Sequence, residues 1–105
     1  FANILILQKY KKLGADITIY DRYNKIYVKS NHFTLEREKL WGKYISFFSL
    51  EGKNFMEKLE GVKYPIENKI IDNIATPSLY ISNEIKDDKL EAAFSGDLLV
   101  VESRD

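Results

Sequence analysis

The spacing of apolar residues changes character once along the chain, at Gly14. Before it, Phe1, Ile4, Leu5 and Leu7 recur at helical intervals among Gln8, Lys9, Lys11 and Lys12, which predicts a helix over residues 1–13. Gly14 stands where a helix C′ residue belongs. After it the period falls to two. Asp16-Ile-Thr-Ile-Tyr20 and Lys25-Ile-Tyr-Val-Lys29 alternate around the turn-forming Asp21-Arg-Tyr-Asn24, which predicts a hairpin. Ser30-Asn31 predicts a second turn, into His32-Phe-Thr-Leu-Glu-Arg37, and Tyr44-Ile-Ser-Phe-Phe-Ser-Leu50 reads as a buried strand. Residues 54–60 are ambiguous between a short helix and extended chain, whereas Pro65 keeps Tyr64 extended. Short strands are expected at 69–72, 79–85, 89–94 and 98–102, with bends at Ala75-Thr-Pro-Ser78, Lys86-Asp-Asp88 and Ser95-Gly-Asp97. Strands at this spacing, joined by polar turns, predict a mainly β chain: an antiparallel β-sandwich preceded by one N-terminal helix.

The bulk numbers narrow the classes. At 105 residues the chain is one domain with at most a fragment of another, and such a domain buries roughly 60–70% of its unfolded surface. It has no cysteine, which removes disulfides, thiolate nucleophiles and cysteine zinc sites, and which agrees with a reducing compartment. Sixteen basic and sixteen acidic residues cancel, so the footprint of a nucleic-acid binder is missing. No apolar run approaches the roughly 20 residues of a membrane span. The chain opens on Phe1, whereas an initiator Met is trimmed only before a small residue, so it reads as a piece of a longer protein.

Candidate chemistry is sparse. His32 is the only histidine, which leaves no triad and no multi-histidine metal site; it reads as a strand-start residue. No two carboxylates share a spacing that would focus them, and Asp87-Asp88 reads as a solvated turn. The five glycines stand singly, not in a phosphate loop, and Trp41 reads as a core or interface anchor. Ser82-Asn83 differs. A hydroxyl and a carboxamide, each donor and acceptor, are suited to read the edge of a heteroaromatic ring, although the same pair also shapes turns by folding back on local backbone.

Around that pair the chain resembles thiamine pyrophosphokinases. Gly61-Val-Lys-Tyr-Pro-Ile66 is similar to the Gly-Phe-Lys-Tyr-Pro-Leu of bacterial members, and Tyr44-Ile-Ser-Phe-Phe48 to their central Tyr-x-Ser strand. Ile81-Ser-Asn-Glu-Ile85 and the closing Leu98-Leu-Val-Val-Glu-Ser-Arg-Asp105 match the family's last part almost residue for residue. Phe1-Ala-Asn-Ile-Leu5 resembles the helix that follows the family's Gly-x-Arg-x-Asp-His segment. The family's acidic cluster and Asp-His motif are not in this sequence, and animal relatives carry Trp where Tyr64 stands.

The resemblance implies a pyrophosphoryl transfer from ATP to thiamine, giving thiamine diphosphate and AMP. It implies residues 1–20 as the end of an α/β catalytic domain and residues 21–105 as a thiamine-binding β-sandwich. Ser82 and Asn83 are then the expected pyrimidine contacts, with Ser78 and Tyr64 beside them; no catalytic residue and no metal ligand is expected here. ATP and Mg2+ would be held by the other domain, so this part alone would not catalyse. Thiamine and a second copy in a homodimer are the implied partners, neither nucleic acid nor membrane is, and the cytoplasm is the implied location. The alternative is a non-enzymatic β-sandwich module for small-ligand binding or dimerisation.

Overall fold

A computed structural model describes residue 9 and residues 16–50, 52–74 and 82–104. The helix expected over residues 1–13 lies outside them but for Lys9, an exposed residue. Among the described residues six strands follow in chain order: β1 (Ile19–Tyr20), β2 (Asn24–Glu36), β3 (Tyr44–Ser49), β4 (Lys53–Glu60), β5 (Ile66–Asp72) and β6 (Lys89–Ser103), with a 3₁₀ turn at Arg37–Lys39. All pairings are antiparallel.

The β1–β2 hairpin forms as its sequence predicts, though β1 is only two residues long. The Asp21 carboxylate accepts from the backbone N–H groups of Tyr23 and Asn24, both at 2.8 Å. Those bonds hold its carboxyl below the ordinary value, the Tyr23 N–H first among them. β1 therefore pairs with β2 across the 20/21 boundary.

Two expected turns are strand instead. β2 runs through Ser30-Asn31, and β6 runs through Ser95-Gly-Asp97, because the two stretches face each other and form one paired irregularity. Asn31 and Gly96 take positive φ (61° and 70°), the Gly96 N–H donates to Asn31 Oδ1, and the Ser30 hydroxyl donates to the Asp97 carboxylate. Turn-forming residues supply the same left-handed backbone to a bulge as to a turn.

Residues 54–60 resolve to strand. Asn54 and Met56 point inward while Phe55 and Glu57 point out, and then a register shift between Met56 and Lys58 puts Leu59 inward too. That shift places inward residues three apart, which is why the sequence also fits a helix. The strand expected at 79–85 lies outside the described residues as far as 81; beyond that, Asn83 and Ile85 make only single bridges, to Ile45 and Val62.

The strands form one connected sheet, in the order β1-β2-β6-β4-β5, with β3 also paired to β6. The mainly β, antiparallel character is as expected, and the pairing runs continuously through all the described strands. The reason is the length of β6. Over its 15 residues it carries β2 along one side, while the other side holds β4 at Glu91–Phe94 and β3 at Leu98–Ser103. Its even-numbered residues Leu90, Ala92, Phe94, Leu98 and Val100 enter the main core with Tyr27, Phe33, Ile45, Phe47, Met56, Leu59 and Ile71. The other face of the central strands is apolar as well: Val28 and Leu99 are covered by Ile17 and Ile19.

Two glycines separate sterics from backbone strain. A Cβ on Gly42 would lie 2.2 Å from the Ser103 carbonyl oxygen, whereas one on Gly52 would meet nothing within 4 Å but would sit at φ +92°. Gly42→Ala is expected to cost about 2–3 kcal/mol, from overpacking, and Gly52→Ala only about 1 kcal/mol. Urea denaturation of the two variants checks the order; equal losses would refute it.

Candidate functional site

The predicted pair sits where a loop crosses the start of β3. Asn83 exchanges two backbone hydrogen bonds with Ile45, N–H to carbonyl at 2.8 and 2.9 Å. One residue earlier, the Ser82 N–H donates to the Ser46 hydroxyl at 2.8 Å. Ser46 is itself buried, so β3 offers the loop a fixed acceptor. Ser82 holds a left-handed backbone, φ +55°, which for a residue with a Cβ costs roughly 1–2 kcal/mol. Its side chain is exposed, and its hydroxyl has no hydrogen-bond partner among the described residues.

The two halves of the pair face differently. Asn83 is only 2% exposed, and its carboxamide turns inward. Oδ1 accepts from the Tyr64 N–H at 3.0 Å and from the Glu84 N–H at 3.0 Å, while Nδ2 donates to the Tyr64 carbonyl at 2.9 Å. These bonds bring Tyr64 to the pair, and its ring stands 57% exposed. Lys63 Nζ lies 5.4 Å from the centre of that ring and 3.5 Å from Glu84 Oε2. The Lys63 ammonium is held above its ordinary value, by Tyr64 first and by Glu84 second. The structure thus brings together three of the four sequence-predicted residues, Ser82, Asn83 and Tyr64. Ser78 lies outside the described residues.

One polar centre escaped the sequence reading. Glu102 is fully buried on the inner face of β6. Its Oε2 accepts from the Tyr27 hydroxyl at 2.5 Å and lies 3.8 Å from Lys25 Nζ, and its Oε1 accepts from the Trp41 N–H at 2.9 Å. The signal was parity, because Glu102 shares its face with Leu98 and Val100. Cross-strand register puts Lys25 opposite Glu102, Glu102 opposite Ile45, and Ile45 opposite Asn83. The buried carboxylate and the predicted pair therefore belong to one row across the sheet. A cavity of about 290 Å3 opens beside the carboxylate, lined among others by Lys25, Tyr27, Lys29 and Phe33.

A family model for the vitamin B1 binding domain of thiamin pyrophosphokinase matches residues 30–99, a stretch that includes Ser46, Tyr64, Ser82 and Asn83. The chain belongs to the thiamin pyrophosphokinase family. Among solved structures it is similar to the thiamine pyrophosphokinase of Bacillus subtilis, at 30% identity and a TM-score of 0.83, over 99% of this chain and 48% of that one. The similarity to the Geobacillus thermodenitrificans enzyme is 31% identity with a TM-score of 0.84, over 100% of this chain and 47% of that one. The yeast enzyme, at 14% identity and a TM-score of 0.75, over 97% of this chain and 35% of that one, shares the fold. No curated protein sequence gives a significant match. The chain thus spans about half the length of the two bacterial structures.

The resemblance drawn from the sequence implies ATP with magnesium. Among the described residues no three acidic or histidine side chains converge as a metal ion requires, so these residues do not fit such a site. No described helix is long and apolar enough to cross a membrane.

The Tyr27 phenol is pushed above its ordinary value of 10.0, by burial first and then by its hydrogen bond to Glu102. A group raised in the folded state stabilises below its unfolded value and loses that contribution as pH rises beyond it. Stability should therefore begin to fall above pH 10, as the unfolded chain, but not the folded one, releases this proton. Urea melts across pH 8–11 check this, and Tyr27→Phe should flatten the fall while lowering stability at neutral pH by about 1–3 kcal/mol. An unchanged alkaline slope in that variant would refute the assignment.

Proposed function

We propose that this chain is the thiamine-binding part of a thiamine pyrophosphokinase. In the intact enzyme it would hold the vitamin while pyrophosphate passes from ATP to the alcohol oxygen. The observation that carries the reading is the exposed Ser82 hydroxyl, without a hydrogen-bond partner among the described residues, next to an Asn83 that binds Tyr64, inside the segment that the B1-binding family model covers.

Thiamine's aminopyrimidine has one hydrogen-bonding edge and two apolar faces. Ser82 offers the edge a donor and acceptor, Tyr64 offers a face an aromatic partner worth roughly 0.5–1.5 kcal/mol, and Ser78 and Asn83 complete the proposed site. A site that pairs polar edges also rejects analogues that lack them. Phosphoryl transfer needs mainly position and charge neutralisation. On this reading residues 21–105 supply position, which lowers the entropic part of the barrier. ATP and Mg2+ would be bound by the remainder of a longer protein, of which residues 1–20 form the edge, and the enzyme would act as a cytoplasmic homodimer.

Calorimetric titration with thiamine tests this. The chain should bind it, and Ser82→Ala should weaken binding about three- to tenfold, as loss of one net hydrogen bond predicts, with the fold unchanged by circular dichroism. Identical affinities for the variant and its parent would take Ser82 out of the site. Absence of any thiamine binding by the chain would favour the structural-module alternative.

A further inference from the structure

Segment 61–64 runs antiparallel to segment 83–87. Val62 bridges Ile85, the Lys63 N–H donates to the Glu84 carbonyl at 2.9 Å, and the N–H groups of Lys86 and Asp87 donate to the Gly61 carbonyl. Continued by one pair, this ladder would set Tyr64 opposite Asn83 as a non-hydrogen-bonded pair, because bonded and non-bonded pairs alternate and Val62–Ile85 is also a non-bonded one. The N–H and C=O of Asn83 accordingly face the other way, toward Ile45. Its carboxamide makes the link that the ladder does not supply at this position: one acceptor for the Tyr64 N–H and one donor for the Tyr64 carbonyl.

We infer that Asn83 is a positioning residue for the ligand site, not a ligand contact: its carboxamide clamps the Tyr64 main chain where the ladder makes no bond, and so holds the Tyr64 ring as one wall of the site beside Ser82. The inference rests on the thiamine reading above and refines it. Carboxamide chemistry is required. A carboxylate would present acceptors to the Tyr64 carbonyl, a leucine of similar shape would leave the Tyr64 N–H and carbonyl unpaired, and glutamine is one methylene too long for the same geometry. Burial of the group leaves little of it for a ligand to touch, whereas Ser82 and Tyr64 on either side of it are exposed.

A double-mutant cycle in thiamine affinity tests this, with Asn83→Leu, Tyr64→Ala and their combination. Asn83→Leu alone should weaken thiamine about tenfold, but less than twofold in the Tyr64→Ala background, because its effect passes through that ring. Additive losses would overturn the inference, since they would mean that Asn83 touches the ligand directly. Amide hydrogen exchange supplies a readout that needs no ligand. In Asn83→Leu the Tyr64 N–H should exchange about tenfold faster while the Ile45 N–H, bonded to the main chain of residue 83, keeps its protection. If the chain does not bind thiamine, the functional reading falls, yet this exchange measurement still decides whether Asn83 holds Tyr64; unchanged exchange at Tyr64 would refute it. Should Asn83→Leu fail to fold, Asn83→Ser, too short to reach Tyr64, replaces it in both measurements.

Discussion

β6 is the strand on which the rest depends. It hydrogen-bonds β2 along almost its whole length and divides its other side between β4 and β3. The division works because the strand passes the Ser95–Asp97 irregularity without losing its inner face: Leu90, Ala92 and Phe94 before it and Leu98, Val100 and Glu102 after it all point inward. A one-residue slip would have sent every residue of one half to the outside. Here the unequal stretches of β2 and β6 are closed by side chains, Ser30 on Asp97 and Asn31 on Gly96, so register is restored across the break. The main core draws on β2 to β6 because one strand touches three of the others.

The same strand places the site. Its last turn inward is Glu102, and the row from Lys25 through Glu102 and Ile45 to Asn83 is set by β6 pairing β2 on one side and β3 on the other. A buried carboxylate is costly unless satisfied, and this one is met by a phenol, a backbone N–H and a nearby ammonium. Through the Trp41 N–H it also ties down the connection into β3. Trp41 in turn lies under the Arg104 guanidinium, 4.0 Å from its carbon, with Tyr20 edge-on at 6.0 Å. β3 is therefore anchored at its start by Glu102 and along its length by β6, and only a strand so fixed can offer Ile45 and Ser46 as a rigid dock for residues 82 and 83.

Much of this was legible, and the failures share a cause. The Asp21 turn is a local event, its acceptor and donors within three residues, and the sequence states it fully. Alternation around Tyr27, Phe47 and Val100 announces strands for the same reason. Ser30-Asn31 and Ser95–Asp97 carry turn chemistry, but whether such residues reverse the chain or bulge it depends on what lies opposite, and each lies opposite the other. Residues 54–60 were obscured by a register shift that mimics helical spacing. Ser82-Asn83 stood out because two polar residues interrupt an apolar pattern. The division of labour between them could not be read, since the carboxamide's partner is Tyr64 and the main chain's partner is Ile45, both distant in sequence.

That division has a general physical basis. Among the described residues the buried polar side chains are Ser46, Ser49, Asn54, Asn83 and Glu102, and no buried side-chain nitrogen or oxygen lacks a hydrogen-bond partner. Ser46 receives the Ser82 N–H, Ser49 donates to Asn54, Asn54 reaches the Ser95 carbonyl, Asn83 holds Tyr64, and Glu102 holds Tyr27 and Trp41. Each is consumed by the fold, as a low-dielectric interior requires, and a group so committed has little left for a ligand. On the proposed reading, recognition falls to polar and aromatic groups that the fold positions but does not use. At the start of β3, among the described residues, those are the Ser82 hydroxyl, on a left-handed backbone, and the Tyr64 ring, exposed on a main chain that Asn83 clamps. On that reading the buried residues serve the site by holding still the two exposed ones.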